Sequence, residues 1–164
     1  MPSAYLDALN MLSRRALTVA ELRARLTDRD HPADQIDAAI EHLLETGALD
    51  DAKVARAQAQ SAVEIKGRGR LRIVREIIAR GVPQETAARA VAEVFENRDE
   101  RSLVNRALQK KMRGRPKPAN AAEFARLYQH LMRQGFSPAV VSAVLRRMRR
   151  GTPADDDSGG DDVQ

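Results

Sequence analysis

Arginine side chains at helical spacing are the residues of this sequence best suited to chemistry. The densest basic run, residues 66–75, reads Lys-Gly-Arg-Gly-Arg-Leu-Arg-Ile-Val-Arg. At 3.6 residues per helical turn, Arg68, Arg72 and Arg75 fall within about 60° of one another, and Arg70 adds a further charge. The rigid fork of an arginine can bind a phosphate or a carboxylate bidentately. The run therefore predicts an anion-binding ridge, with a merely solvated charged face as the alternative.

Such a ridge needs a helix that is anchored to a core. Leu71, Val74 and Ile78 occupy the neighbouring face of the same helix, and we expect them to dock into the core. Glycines at positions 67 and 69 give the entrance to this helix conformational freedom. The run thus supplies both the charges and the apolar positions that would hold them.

Two other basic clusters extend the cationic surface. The first contains no acid and holds seven cations: Arg101, Arg106, Lys110, Lys111, Arg113, Arg115 and Lys117. It ends in a loop, because Gly114, Pro116 and Pro118 break a helix, and mobile basic loops suit contact with a nucleic-acid backbone. The second lies at the end of the last predicted helix: Arg146, Arg147, Arg149 and Arg150. The attraction of cations to the negative end of a helix dipole explains part of that second pattern.

No arrangement of residues indicates catalysis or metal binding. His31, His42 and His130 lie far apart without ligand spacing, cysteine is absent, and no nucleophile stands beside a base. The adjacent acids Asp50-Asp51 fit a helix cap better than a metal pair. The segment Gly67-Arg68-Gly69 lacks the preceding strand and the Lys-Ser/Thr of a phosphate-binding loop. The sequence predicts a binding protein that is not an enzyme and has no cofactor.

The composition favours an all-α protein. Of its 164 residues 43% are hydrophobic but only 3% are aromatic, which is typical of close helix packing rather than of a β-sandwich. No run approaches the roughly 20 apolar residues that span a membrane, and no basic apolar leader opens the chain, so we expect a cytoplasmic protein. The net charge is +5, and it is +10 without the five aspartates of residues 152–164. That stretch is expected to be a disordered acidic tail, whereas the basic body indicates an acidic partner.

Helical periodicity divides the chain into nine amphipathic segments. The predicted segments are 3–14, 18–28, 33–46, 51–65, 69–80, 84–97, 99–113, 121–134 and 138–150. Thr18 with Glu21 and Asn120 with Glu123 have the spacing of capping boxes, and Ser137-Pro138 has the pattern of a cap followed by a first-turn proline. Left-handed glycines are expected to close three of the helices: Gly47, Gly81 and Gly135.

The nine segments form three units of three helices, predicted to span residues 1–49, 50–97 and 98–151. Gly-Val-Pro at 81–83 aligns with Gly-Phe-Ser at 135–137, and more loosely with residues 30–32, and an apolar stripe follows each copy. A repeated unit that cannot bury its apolar face alone must stack against its neighbours. We therefore expect an elongated, curved array with one continuous thin core.

Three motifs, in this order and spacing, carry a family resemblance. The opening has Ala8-Leu9, Leu12 and Arg15 before Glu21-Leu22; Leu49-Asp50-Asp51 is followed by Ala55; and residues 69–82 read Gly-x-x-Arg-Ile-x-x-Glu-Ile-x-x-Arg-Gly-Val. Together they resemble the start, the Leu-Asp-Asp signature and the central helix of the RecX proteins, bacterial regulators of the RecA recombinase. The resemblance covers roughly residues 4–150. Val54 stands where the family usually has Phe, and Arg70 stands where Pro is common.

The resemblance implies nine helices in three tandem trios, without a cofactor. It also implies binding of the RecA filament along its groove, which restrains filament growth and damps ATPase, strand-exchange and co-protease activities in DNA repair and the SOS response. We expect the protein to be a monomer. Single-stranded or duplex DNA is a further candidate for direct contact. The residues predicted to bind filament or DNA are Arg68, Arg70, Arg72, Arg75, Arg106, Lys110, Lys111, Arg113, Arg115, Lys117, Arg146, Arg147 and Arg150.

The alternative is a direct DNA-binding regulator built from helix-turn-helix units. Such a protein places a polar recognition helix in each DNA-contacting unit. The third helices of the three trios carry their cations at different positions, which disfavours this alternative.

Overall fold

The computed structural model of the protein describes residues 3–115 and 117–150. Within these residues all regular secondary structure is helical, and there are no strands. The helices are α1 Ala4–Arg14, α2 Val19–Thr27, α3 Ala33–Glu45, α4 Asp51–Glu64, α5 Arg70–Ala79, α6 Gln84–Phe95, α7 Glu100–Met112, α8 Ala121–Gln134 and α9 Pro138–Arg150. Every predicted segment is found with its ends within two residues, so the all-α prediction is confirmed. The predicted acidic tail, 152–164, lies outside the described residues.

Most of the predicted helix caps are present in the structure. The Oγ1 of Thr18 accepts the amide of Glu21 at 3.1 Å, and the amide of Thr18 donates to the Glu21 carboxylate at 3.0 Å, which confirms the first capping box. Asn120 accepts the amide of Glu123 at 2.9 Å, but the Glu123 carboxylate binds the amide of Ala119 instead of that of Asn120. The second box is therefore half formed. The three predicted left-handed glycines have positive φ, between 70° and 90°.

Each unit of three helices has its own hydrophobic core. In the first unit the fully buried large side chains are Leu17, Leu22, Leu26, Leu43 and Leu49; in the second they are Ile73 and Ile77; in the third they are Leu108, Met112, Leu131, Phe136 and Leu145. Leu103, at the start of α7, packs against both the second and the third core. The core is thus three clusters, of which the second and third meet at Leu103, rather than the single continuous core that was predicted.

The orientation of α5 differs from its prediction. Ile73 and Ile77 are fully buried, whereas Leu71 and Ile78 are 48% and 37% exposed and Val74 is half-buried. Ile73 and Ile77 lie one turn apart on the face that meets α4 and α6. Leu71 and Ile78 fall on roughly the opposite side of the helix. The prediction that they dock into the core was wrong, because the sequence pattern allowed two apolar faces and the neighbouring helices select the other one.

Side chains join the first unit to the second, with Arg80 at the centre. Its Nε and Nη2 donate to the two carboxylate oxygens of Glu21, each at 2.8 Å, and its Nη1 donates to the side chain of Gln58 at 2.8 Å. The carbonyl of Arg80 accepts the hydroxyl of Thr18 at 2.7 Å. Gly81 lets the two units approach, since a Cβ there would lie 2.3 Å from the Cβ of Ala20.

Backbone hydrogen bonds join the second unit to the third. The amide of Gly69 donates to the carbonyl of Gln134 at 2.7 Å, and the amide of Leu71 donates to the carbonyl of Gly135 at 3.0 Å. The first turn of α5 is therefore capped by the last turn of α8, which satisfies groups that a helix end otherwise leaves to water. Among residues 3–115 and 117–150, no hydrogen bond or ion pair joins the first unit to the third, as expected for a tandem array.

Candidate functional site

Four of the predicted cations line a cleft of about 430 Å³ between the second and third units. One wall is the end of α4 and the loop after it, from Val63 to Gly67, and the opposite wall is α7. His130 and Gln134 of α8 close the cleft. The cations that line it are Lys66, Arg106, Lys110, Lys111 and Arg113. Part of the first basic run and most of the second basic cluster therefore share one surface.

The cleft has an excess of positive charge. Its lining includes one carboxylate, that of Glu64, which forms an ion pair with Arg98 at 2.8 Å. Within the described part of the chain, no ion pair involves Lys66 or the four cations of α7 and its C-terminus. Burial lowers the pKa of His130, and the charges of Lys111 and Arg133 lower it further. His130 is therefore neutral at pH 7 and offers a hydrogen bond rather than a charge.

Two arginines of the predicted ridge have an intramolecular partner. The Nε of Arg72 donates to Glu76 at 2.9 Å, and Arg68 pairs with the other oxygen of the same carboxylate. The Nη1 of Arg72 also donates to the carbonyl of Arg133 at 3.3 Å. Burial raises the pKa of Glu76, but the hydrogen bonds from Arg72 and Arg68 lower it by more. These two arginines brace α5 beside its contact with α8.

The other two arginines of the run have separate surroundings. Arg75 is exposed on the outer face of α5, where its Nε bonds the carbonyl of Leu71 at 3.3 Å. The guanidinium of Arg70 lies 5.2 Å from the centre of the Phe95 ring, in cation–π contact. The structure thus distributes the four arginines over different surroundings instead of gathering them on one free ridge.

The remaining predicted cations lie elsewhere on the third unit. Arg115 forms a two-pronged pair with Glu123, so the acid-free stretch receives a carboxylate from α8, and this pair lowers the pKa of Glu123. Lys117 lines a smaller concave surface beside Phe124, whose ring lies 5.9 Å from the guanidinium of Arg149. All four arginines at the end of α9 are exposed: Arg146, Arg147, Arg149 and Arg150.

Sequence reasoning missed several residues that the fold places in concave surfaces. Ile65, Lys66, His130 and Gln134 line the cleft, and of these only Lys66 belonged to a basic run. A further depression of about 330 Å³ in the first unit is lined by arginines of α1 and α2 and by the residues that flank these helices: Arg14, Arg15, Arg25 and Arg29. The clustering of these arginines near helix ends was a sequence signal for a basic surface. It was obscured because acids such as Asp28 and Asp30 lie among them in the sequence.

The residues considered for metal binding have structural roles. Asp50 caps α4 by accepting the amide of Lys53 at 3.0 Å, as predicted, and Asp51 accepts the amide of Val19 at 2.9 Å. Among the residues the structure describes, no group of three His, Cys, Asp or Glu side chains could hold a metal ion. No helix in that same part of the chain is long and apolar enough to cross a membrane.

Comparison with known proteins gives the same architecture. Residues 4–43, 50–91 and 99–145 match the family models of the first, second and third three-helix domains of RecX. The regulatory protein RecX of Halorhodospira halophila is 35% identical over 137 residues, which cover 83% of this chain and 82% of that protein. The RecX protein of Pelodictyon phaeoclathratiforme is 31% identical over 145 residues, 88% of each chain.

A solved structure confirms the fold. The crystal structure of RecX from Lactobacillus salivarius superposes with a TM-score of 0.74 at 18% identity, and the match covers 90% of this chain and 95% of that one. Three family models in their proper order and relatives above 30% identity over most of their length lead to one conclusion: this chain belongs to the RecX family.

Proposed function

We propose that this chain is a non-catalytic regulator that binds the groove of the RecA filament on DNA and limits its extension. The ATPase, strand-exchange and co-protease activities of the RecA filament would fall as a consequence. The observation that carries the proposal is membership of a family whose curated relatives are named regulatory proteins. The partner implies that the chain acts in the cytoplasm, and we propose that it acts there as a monomer.

The cleft between the second and third units is the leading contact surface in this proposal. Arg106, Lys110, Lys111 and Arg113 are exposed there without a described acidic partner. Cations that are already solvated and unpaired lose no intramolecular contact on binding, whereas Arg68, Arg72 and Arg115 would have to give up a carboxylate. We therefore propose that the four unpaired cations bind the partner, whereas the three arginines paired with carboxylates stabilise the fold.

The remaining predicted residues form secondary contacts in this proposal. Arg75 on α5 and Arg146, Arg147 and Arg150 on α9 are exposed, so a large partner can reach them. A tandem array with cations on successive units suits a filament, which presents neighbouring subunits and the phosphates of bound DNA together.

The ATPase rate of RecA on single-stranded DNA tests the proposal. We expect the wild-type protein to inhibit at concentrations well below that of the recombinase. The double variant Lys110→Glu/Lys111→Glu should need at least about tenfold more protein, as expected when interfacial charges are reversed. Lys53→Glu/Arg89→Glu is the matched control, since it changes the net charge equally at exposed positions of the second unit, and it should inhibit like the wild type.

Two results would contradict the proposal. Equal loss of inhibition in both double variants would mean that net charge, rather than the cleft, drives binding. No inhibition by the wild type together with tight binding to bare DNA would favour the direct DNA-binding regulator.

A further inference from the structure

We propose that the cleft between the second and third units receives a protein segment in which an apolar side chain is flanked by carboxylates. The inference rests on the proposed function and deepens it, because it identifies the surface that takes the recombinase itself rather than its DNA. It is carried by the side-by-side placement of apolar and cationic groups in one cleft.

The apolar part of the cleft begins with Ile65, which is 77% exposed, more than any other large hydrophobic residue among those described. A single exposed apolar side chain is ordinary on a protein surface. Ile65, however, lines the same cleft as Val63, Leu103 and Ala107, so its exposed surface continues into an apolar floor. An aliphatic or aromatic side chain placed there would cover Ile65 and remove this surface from water.

The cations lie on both sides of that floor. Lys66 follows Ile65 directly, and Arg106, Lys110 and Arg113 follow one another along α7 and its end at spacings of four and three residues. One helical turn places Arg106 and Lys110 about 6 Å apart along the axis. Two carboxylates one turn apart on a partner helix, or two residues apart on an extended strand, would match that separation.

The same lining argues against single-stranded nucleic acid as the occupant. Among the residues that line the cleft, none is Phe, Tyr or Trp, so bases would find no ring on which to stack. Phosphates would leave the apolar floor and Ile65 uncovered. Neutral His130 and the amide of Gln134 add hydrogen-bonding groups of the kind that a peptide backbone can satisfy.

Affinity measurements on three targets separate the possibilities. Binding of Ile65→Ser and of the wild type is measured by fluorescence anisotropy to DNA-free RecA, to the RecA filament and to bare single-stranded DNA. We expect Ile65→Ser to weaken binding to both protein targets by about tenfold, from the loss of one buried aliphatic side chain, and to leave binding to bare DNA unchanged. Leu44→Ser, at a 46% exposed position of the first unit, is the matched control and should change none of the three.

A crosslinking experiment identifies the occupant directly. The chain contains no cysteine, so Ile65→Cys provides a unique thiol for a benzophenone photocrosslinker. We expect the crosslink to map to an acidic segment of the recombinase that also contains an apolar residue. Crosslinks to DNA, or unchanged filament affinity in Ile65→Ser while the wild type binds, would overturn the inference but leave the proposed function intact. Failure of the wild type to bind the filament would overturn the proposed function and the inference with it.

Discussion

Alanine at position 69 would place a methyl group at the contact between the second and third units. The Cβ would lie 2.4 Å from both the carbonyl carbon of Gly135 and the amide nitrogen of Phe136. These are backbone atoms of a left-handed helix end, so they cannot rotate away as a side chain can. The φ of Gly69 is −83°, which alanine adopts readily. Any loss of stability would therefore come from the contact and not from the local backbone.

The size of the effect can be worked out from this contact. Forcing one extra carbon into a packed site costs about 1–3 kcal/mol. Relieving the overlap by separating the units would break the bonds from Gly69 and Leu71 to the third unit, each of which contributes about 1 kcal/mol. Packing strain together with a partial loss of these bonds, worth about 1 kcal/mol, should lower the free energy of unfolding of Gly69→Ala by about 2–4 kcal/mol. In a chain of this length that corresponds to a fall in Tm of roughly 10 °C.

Thermal unfolding followed by circular dichroism, with hydrogen exchange of the Leu71 amide, tests this reasoning. Gly67→Ala is the control: Gly67 has φ +60°, and a methyl group added there would have no other atom within 4 Å, so only backbone strain of about 1–2 kcal/mol is expected. The Leu71 amide should exchange faster in Gly69→Ala and should be unaffected in Gly67→Ala. Equal stability of the two variants with a protected Leu71 amide would refute the steric explanation.

Three further predictions test other parts of the fold. Glu21→Gln removes the carboxylate that binds Arg80 and should cost about 2 kcal/mol in urea unfolding, against less than about 0.5 kcal/mol for exposed Glu85→Gln. Hydrogen bonding to Arg80 lowers the pKa of Glu21 below its ordinary 4.5. The stability that Glu21 contributes is therefore complete above that pH and is lost as the pH falls through the lower pKa of the folded state. A wild-type advantage over Glu21→Gln that persists in strong acid would contradict this explanation. Glu76→Gln leaves two half-buried arginines without a counter-charge and should lower the free energy of unfolding by about 2 kcal/mol. An unchanged urea midpoint would mean that the ion pairs of Glu76 do not contribute to stability. Ile73→Ala should cost about 3 kcal/mol and Leu71→Ala less than about 1 kcal/mol, and the reverse order would restore the predicted orientation of α5.

The sequence was sufficient for features that depend on neighbouring residues. Thr18, Asp50 and Gly135 were recognised as helix ends because a cap needs a particular side chain, or none, within one turn of the chain. The apolar stripe predicted after each aligned copy depends on local spacing, and its members Ile36, Ile40, Val141 and Leu145 are buried. The three-unit organisation followed from the repetition of such local signals.

The sequence was insufficient where a face or a partner is chosen by a distant element. Two apolar faces were available on α5, and only the packing of α4 and α6 decides between Ile73 and Leu71. Arg115 finds its carboxylate eight residues away, across a loop, at Glu123. The cleft itself is formed by α4, α7 and α8, so no local pattern could have added Ile65 or His130 to the candidate site.

The hydrogen bonds that Gly69 and Leu71 donate to the end of α8 couple the first turn of α5 to the third unit. Without the third unit, two first-turn amides of α5 would have to find water. The contact with the first unit is different, because each of its hydrogen bonds involves a side chain, such as those of Thr18, Asp51 and Arg80. We therefore expect the second and third units to unfold together and the first unit to open separately. We expect a chain that begins at residue 50 to keep its fold, and a chain that ends at residue 97 to show faster hydrogen exchange at the Gly69 and Leu71 amides.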